Sequence, residues 1–327
     1  MTVKHIAAGA FVAALLAGTS VASAQEFVLA HGANPGNPRY DAANLFAALV
    51  EQYSDGEMTV SVAPSATLGD DAEMLTSVLA GVIEMSANSQ GAYSQIIPEA
   101  GALGLPFLFN ELPVAWEVLD GPIGDELNAL SQAQGFEVVT WWDNGLRNVT
   151  HTGMSIDSPA DIEGMQIRTP PDELRVAMFE ALGAAPSPLA WSELPTALRN
   201  GVFDGQENPL TNIYSASLHE ITPYISMTAH AYEGTPVVAN LDWWNSLSDD
   251  QRDIISRAAS EAGWYQRGAS VVADEALVSV LESEGAVITY PDTQPFIDAT
   301  AGVYDQWQEQ MGDFVANLRE AAVAATN

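Results

Sequence analysis

The chain has no cysteine and a single lysine, Lys4, so beyond its first residues every fixed positive charge is one of nine arginines. Without cysteine there are no disulfides, zinc–thiolate sites or thiol nucleophiles. Stability must come from burial, for which 47% hydrophobic residues are ample. Ten basic residues face 43 acidic ones, a formal net charge of −33. That balance excludes nucleic acid as a partner, since its binding needs a basic footprint, and it argues against an anionic membrane surface. Enzyme signatures are equally scarce. The chain contains no Gly-x-Ser-x-Gly, His-Glu-x-x-His, Gly-x-x-x-x-Gly-Lys or Gly-x-Gly-x-x-Gly. His31, His151, His219 and His230 lie too far apart in sequence to suggest a histidine metal site. No metal, cofactor or catalytic residue is expected. The acidic pairs Asp70/Asp71 and Asp249/Asp250 open helices, where the macrodipole accounts for them without catalysis.

Long apolar runs are also missing. Ile6 to Ala17 is twelve residues, too short for a bilayer-spanning helix of roughly 20. With Lys4 before it and Ala22-Ser23-Ala24 after it, the stretch reads as a cleavable signal peptide over residues 1–24. The expectation is an exported, periplasmic chain with no direct membrane insertion once mature. A mature length of roughly 300 residues suggests two domains.

Periodicity supplies the elements. Glu26–His31, Met58–Pro64 and Val82–Ala87 read as strands, separated by helices over Tyr40–Tyr53 and Asp70–Ala80. A second series places strands at Met165–Arg168, Ala185–Leu189 and Asp204–Glu207, with helices over Asp172–Leu182 and Ser192–Asn200. The β-α-β-α-β order implies two doubly wound α/β lobes with a cleft between them. The longest helical pattern, residues 248–285, is long enough to cross both, and Gly263 and Gly268 predict a bend or break within it.

Two arginines stand out. Arg147 and Arg168 each lie in an apolar strand or at its end. Each guanidinium pairs either with one of the protein's own carboxylates or with an anion from outside, and the sequence leaves both open. Trp141 and Trp142 precede Arg147; Trp191 follows a strand where an α/β connection faces ligand. Trp141 reads as core, Trp191 equally as core or as the wall of a site.

The succession Gly-Met-Gln-Ile-Arg-Thr-Pro-Pro, Met178 to Ala184, Ser192-Glu193-Leu194-Pro195 and Asp204-Gly205-Gln206-Glu207-Asn208-Pro209 resembles the substrate-binding subunits of tripartite ATP-independent periplasmic (TRAP) transporters, C4-dicarboxylate-binding type. Leu105-Pro106-Phe107-Leu108-Phe109 extends the likeness over essentially the whole mature chain. The resemblance implies a two-lobed periplasmic binding protein fold that closes over a small organic acid and delivers it to TRAP permease membrane subunits. It implies that Arg168 pairs with the ligand carboxylate, assisted by Arg147 and Asn208, with Trp191 packed on the ligand. Asn34, Glu73 and Asn88 are first-lobe candidates from their place in loops facing the cleft, and Asn144 adds donors and acceptors. The implied lobes are residues 25–145 plus about 234–270, and 146–233 plus about 271–327. A second ligand carboxylate would need a further cation, and only Arg39 lies near the first-lobe loops. The reading therefore leans to a hydroxylated monocarboxylate such as a sugar acid. The alternatives are a C4-dicarboxylate, a keto acid, or a secreted enzyme acting on acidic sugars.

Overall fold

The computed structural model describes residues 24–326. The expected signal peptide lies outside them except for its last residue. The first lobe grows from β1 (Gln25–His31), α1 (Pro38–Tyr53), β2 (Met58–Ala63), α2 (Asp71–Leu79) and β3 (Met85–Ala87). Two single turns, α3 (Gln90–Tyr93) and α4 (Pro98–Gly101), lead to α5 (Leu112–Leu119) and α6 (Pro122–Ala133). The strand β4 (Phe136–His151) then crosses into the second lobe: β5 (Gln166–Thr169), α7 (Glu173–Ala181), β6 (Ala185–Pro188), α8 (Leu194–Arg199), β7 (Gly205–Asn208) and α9 (Leu210–Ser215). Strand β8 (Tyr224–Asn240) returns, followed by α10 (Leu241–Ser246), α11 (Asp249–Ser283), β9 (Val287–Thr289), α12 (Gln294–Met311) and α13 (Asp313–Thr326).

The nine strands of the described residues join one sheet in the order β2-β1-β3-β8-β4-β7-β5-β6, with β9 also on β8. Within each lobe the short strands pair in parallel, as expected of βαβ units. The lobes are fused by the antiparallel pair β4/β8, which runs from Phe136 opposite Asn240 to His151 opposite Tyr224. Periodicity places no strand at β8. Three register shifts interrupt the pair, one of them between Asp143 and Gly145. Asn144 is the extra residue there, and Gly145 takes φ +115°, a left-handed conformation that costs glycine little.

Helix α11 ties the lobes together. Its first half, with Ile255, Ala258 and Ala262, packs against Phe27, Phe46 and Trp142, whereas Leu277 and Leu281 pack with Leu198, Ile213 and Ile225 of the second lobe. The bend or break predicted at its glycines is not a break: the helix is continuous. Gly263 is there for close packing instead, since a Cβ would come within 2.8 Å of the Trp142 ring. The Trp142 indole donates to the Ala259 carbonyl at 2.9 Å, fixing that contact. Helix α12 lies on α7, while α13, in the stretch the sequence placed with the second lobe, packs on α5 and α6 of the first. Phe314 and Leu318 of α13 join a core that contains both Leu103 and Met178.

Candidate functional site

Strand ends from both lobes converge on one cavity. The turn after β1 brings Asn34 and Arg39, the starts of α2 and α3 bring Asp71 and Ser89, and the ends of β5, β6 and β7 bring Arg168, Trp191 and Asn208. Ligands of open α/β sheets bind at such carboxyl ends of strands. The bulge in β4 turns Asn144 into the same space, beside Glu233 of β8.

Arg147 is 2% exposed and is already paired. Its guanidinium forms ion pairs with Glu207 and Glu233 and donates to the Glu207 carbonyl at 2.5 Å. Burial opposes its charge, but Glu207 and Glu233 outweigh burial and raise its pKa. The glutamates respond in kind. Burial pushes both carboxyls up, yet Arg147 and Arg175 hold Glu207 well below the usual range and lower Glu233 as well. His230 Nε2 completes the cluster 3.2 Å from Glu207. Of the two fates the sequence left open for a strand arginine, Arg147 takes the internal one for these donors while also lining the cavity.

Arg168 does the opposite. Equally buried, it donates from Nε and Nη2 to a single acceptor, the Leu189 carbonyl, at 2.8 and 2.5 Å, and no carboxylate pairs with it among the described residues. Burial and the nearby Arg147 pull its pKa down to about 10. Its Nη1 donors have no acceptor among the described residues. Asn208 gives one amide hydrogen to Gln206 and accepts from Asn212 at 3.1 Å, keeping a second donor free. Trp191 is half-buried at the cavity wall, resting on the second-lobe core, while Trp141 is core and stacks edge-on with Tyr93.

Among the first-lobe candidates, Asn34 lines the cavity but Glu73 and Asn88 do not. Glu73 is exposed and accepts the Asp70 N–H at 2.9 Å as half of a capping box. Asn88 is fully buried behind Asp71 and donates to its carboxylate at 3.2 Å. Asp70 caps α2 and Asp71 opens its first turn, as the macrodipole favours, but Asp71 also faces the cavity. Burial and Asp70 push Asp71 up to about 6. Its sequence signal was a second acid where a cap needs only one. Glu233 was missed too, although a lone acid in the run Ala229 to Ala239 marks a charge inside a central strand. Ser89 Oγ and Asn144 Nδ2 both donate to Glu233, at 2.7 and 2.9 Å.

The lobes touch across the cleft. Asp70 Oδ2 accepts from the backbone and hydroxyl of Ser192 at 2.9 and 2.7 Å, Asn37 Nδ2 donates to Asn212 at 2.8 Å, and Gln95 donates to the Pro171 carbonyl at 3.1 Å. The arrangement is a closed one. No cluster of metal-ligating side chains occurs among the described residues, and no helix there is long and apolar enough to cross a membrane.

Comparison with known proteins agrees with this architecture. Residues 29–310 match the sequence profile of DctP, bacterial extracellular solute-binding protein, family 7. The chain is 44% identical to an uncharacterized protein, y4mM, of Sinorhizobium fredii over 87% of its own length, but spans only 52% of that relative. It is 31% identical to the 2,3-diketo-L-gulonate-binding periplasmic protein YiaO of Escherichia coli, covering 91% of this chain and 92% of that one. Among solved structures, the sugar acid binding protein DctPAm of Advenella mimigardefordensis in complex with galactonate superposes with a TM-score of 0.90 at 31% identity, over 92% of this chain and 99% of the other.

Proposed function

The chain belongs to family 7 of the bacterial extracellular solute-binding proteins, the substrate-binding subunits of TRAP transporters, and on that footing we propose that it captures a hydroxylated monocarboxylate such as a sugar acid. It then delivers the acid to the membrane subunits of a TRAP permease. Export through a cleaved signal peptide places it in the periplasm. The observation that carries the reading is Arg168, a buried guanidinium with one carbonyl partner and open Nη1 donors at the wall of an interlobe cavity. A carboxylate completes it with two parallel charge-assisted bonds. Asn208 supplies a further donor and Trp191 an apolar face.

Arg147 acts one step back. With both glutamates already on it, it orients Glu207 and Glu233 and adds positive potential near Arg168, so the clamp is one arginine supported by another. The relatives support the choice of acid: one is named for 2,3-diketo-L-gulonate and one holds galactonate, each a hydroxylated chain with a single carboxylate. Arg39 in the cavity favours a second reading, a dicarboxylate.

Mass spectrometry of the solute released from gently purified, then denatured, protein tests the proposal, followed by calorimetry with galactonate. A hydroxylated monocarboxylate is expected. A solute without a carboxylate, or conversion of the acid to product on incubation, would overturn it.

A further inference from the structure

Resting on the sugar-acid reading above, we propose that Arg39 and Asp71 form a hydroxyl-reading pair on the first-lobe wall, which accepts an uncharged hydroxyl at the ligand's far end and rejects a second carboxylate. Both side chains are more than nine-tenths buried or at that limit, 7% and 9% exposed, and both face the cavity. They attract one another through space, yet no ion pair joins them among the described residues. Arg39 gives one side-chain hydrogen bond, from Nη2 to Asn144 Oδ1 at 2.7 Å, so Nη1 stays unspent among the described residues, beside a buried Nε that also has no acceptor. Asp71 accepts from Asn88 and the Ser89 backbone on Oδ1 only, which leaves Oδ2 open.

Apart from Asn34, whose side chain forms no hydrogen bond among the described residues, the neighbouring polar groups are engaged. Asn144 takes Arg39 and Asn212 on its oxygen and gives its amide to Glu233, Ser89 also gives to Glu233, and the Asn37 side chain is divided between the Arg39 backbone and Asn212. An unspent donor and an unspent acceptor therefore share one wall. A hydroxyl is the group that satisfies both, donating to Asp71 and accepting from Arg39. A carboxylate would satisfy Arg39 but meet the open oxygen of Asp71, with Glu233 and Asp143 adding negative potential around Arg39. An ammonium group would meet the guanidinium. Specificity of this kind comes as much from the repelled competitor as from the accepted ligand.

Galactonate and galactarate test the pair cleanly, because they differ only in whether the last carbon is a hydroxymethyl or a carboxylate. By calorimetry at pH 7.5 the wild type is expected to bind galactonate at least about 30-fold more tightly than galactarate. Asp71→Asn keeps the oxygen that accepts from Asn88 and Ser89, so it should fold, as its melting temperature will check. It should weaken galactonate roughly tenfold and shrink the preference to within about threefold. Equal wild-type affinity for the two acids, or an undiminished preference in a folded Asp71→Asn protein, overturns the inference and leaves the sugar-acid reading standing. Failure of the wild type to bind any of galactonate, gluconate and galactarate would overturn that reading as well.

Discussion

On the second-lobe wall of the cleft Arg147 is locked between Glu207 and Glu233, and Arg168 is buttressed by a single carbonyl; on the first-lobe wall Arg39 and Asp71 share the cavity without pairing. All four are buried, so burial does not separate them. What separates them is whether the protein supplies the counter-group. A buried charge that has found its partner belongs to the scaffold, and removing one member leaves the other uncompensated. A buried charge still lacking its partner is available to a ligand.

The sharpest way to break this contrast is to truncate the two second-lobe arginines in turn. Arg147→Ala strands two buried glutamates and should cost about 3–5 kcal/mol of stability. Thermal denaturation should show a fall of roughly 5–15 °C. An unchanged melting temperature with lost affinity would instead make Arg147 a direct ligand contact. Arg168→Ala should leave the melting temperature nearly in place and weaken acid binding by about 2–5 kcal/mol, roughly 30-fold to several thousand-fold. Arg168→Lys should also bind poorly, since an ammonium cannot reproduce the bidentate geometry. Near-wild-type calorimetric affinity in the lysine variant would remove the clamp.

Paired and unpaired carboxyls should also titrate in opposite senses. Asp71 at about 6, with Asp143 raised to about 6 and Asp274 to about 7, mainly by burial, holds its proton more tightly folded than unfolded. Their contribution is fully present below the unfolded value and lost as pH rises through 6 to 7. Glu207 and Glu233, lowered by Arg147 and Arg175, contribute above the ordinary glutamate range and lose that contribution as pH falls below it. Stability, read from the melting temperature, is therefore expected to rise from pH 7.5 toward about pH 5, by about 1–3 kcal/mol for Asp71 alone, and to fall below about pH 4. Asp71→Asn should flatten the neutral side of the curve. A maximum at pH 7 to 8 would refute the assignment.

The smallest effect is expected where the walls meet. Ser192→Ala removes the hydroxyl that Asp70 accepts across the cleft, an exposed contact worth about 1 kcal/mol. It should speed ligand release roughly three- to tenfold in stopped-flow measurements while leaving association almost unchanged. An unaltered release rate would show that this contact does not hold the lobes closed.

Local pattern was enough to read much of this molecule. The parallel βαβ order of both lobes follows from alternating two- and 3.6-residue periods, and the helix from Asp249 to Ser283 from its capping box and apolar spacing. The position of Arg168 at a strand end is equally local. Three things were settled only in three dimensions. Strand β8 is a long partner for β4 and also pairs with β3, and these partners lie about 70 to 150 residues away in sequence. Arg147 met Glu207 and Glu233, 60 and 86 positions distant, whereas Arg168 met no carboxylate among the described residues. Glu73 and Asp71, two residues apart, went to a cap and to the cavity. The helices and short parallel strands are decided by neighbours along the chain, so sequence determined them; the pairing of β8 and the fate of a charge are decided by whichever group the fold brings within reach, about 4 Å for an ion pair, so only the tertiary structure could tell a spent arginine from a free one.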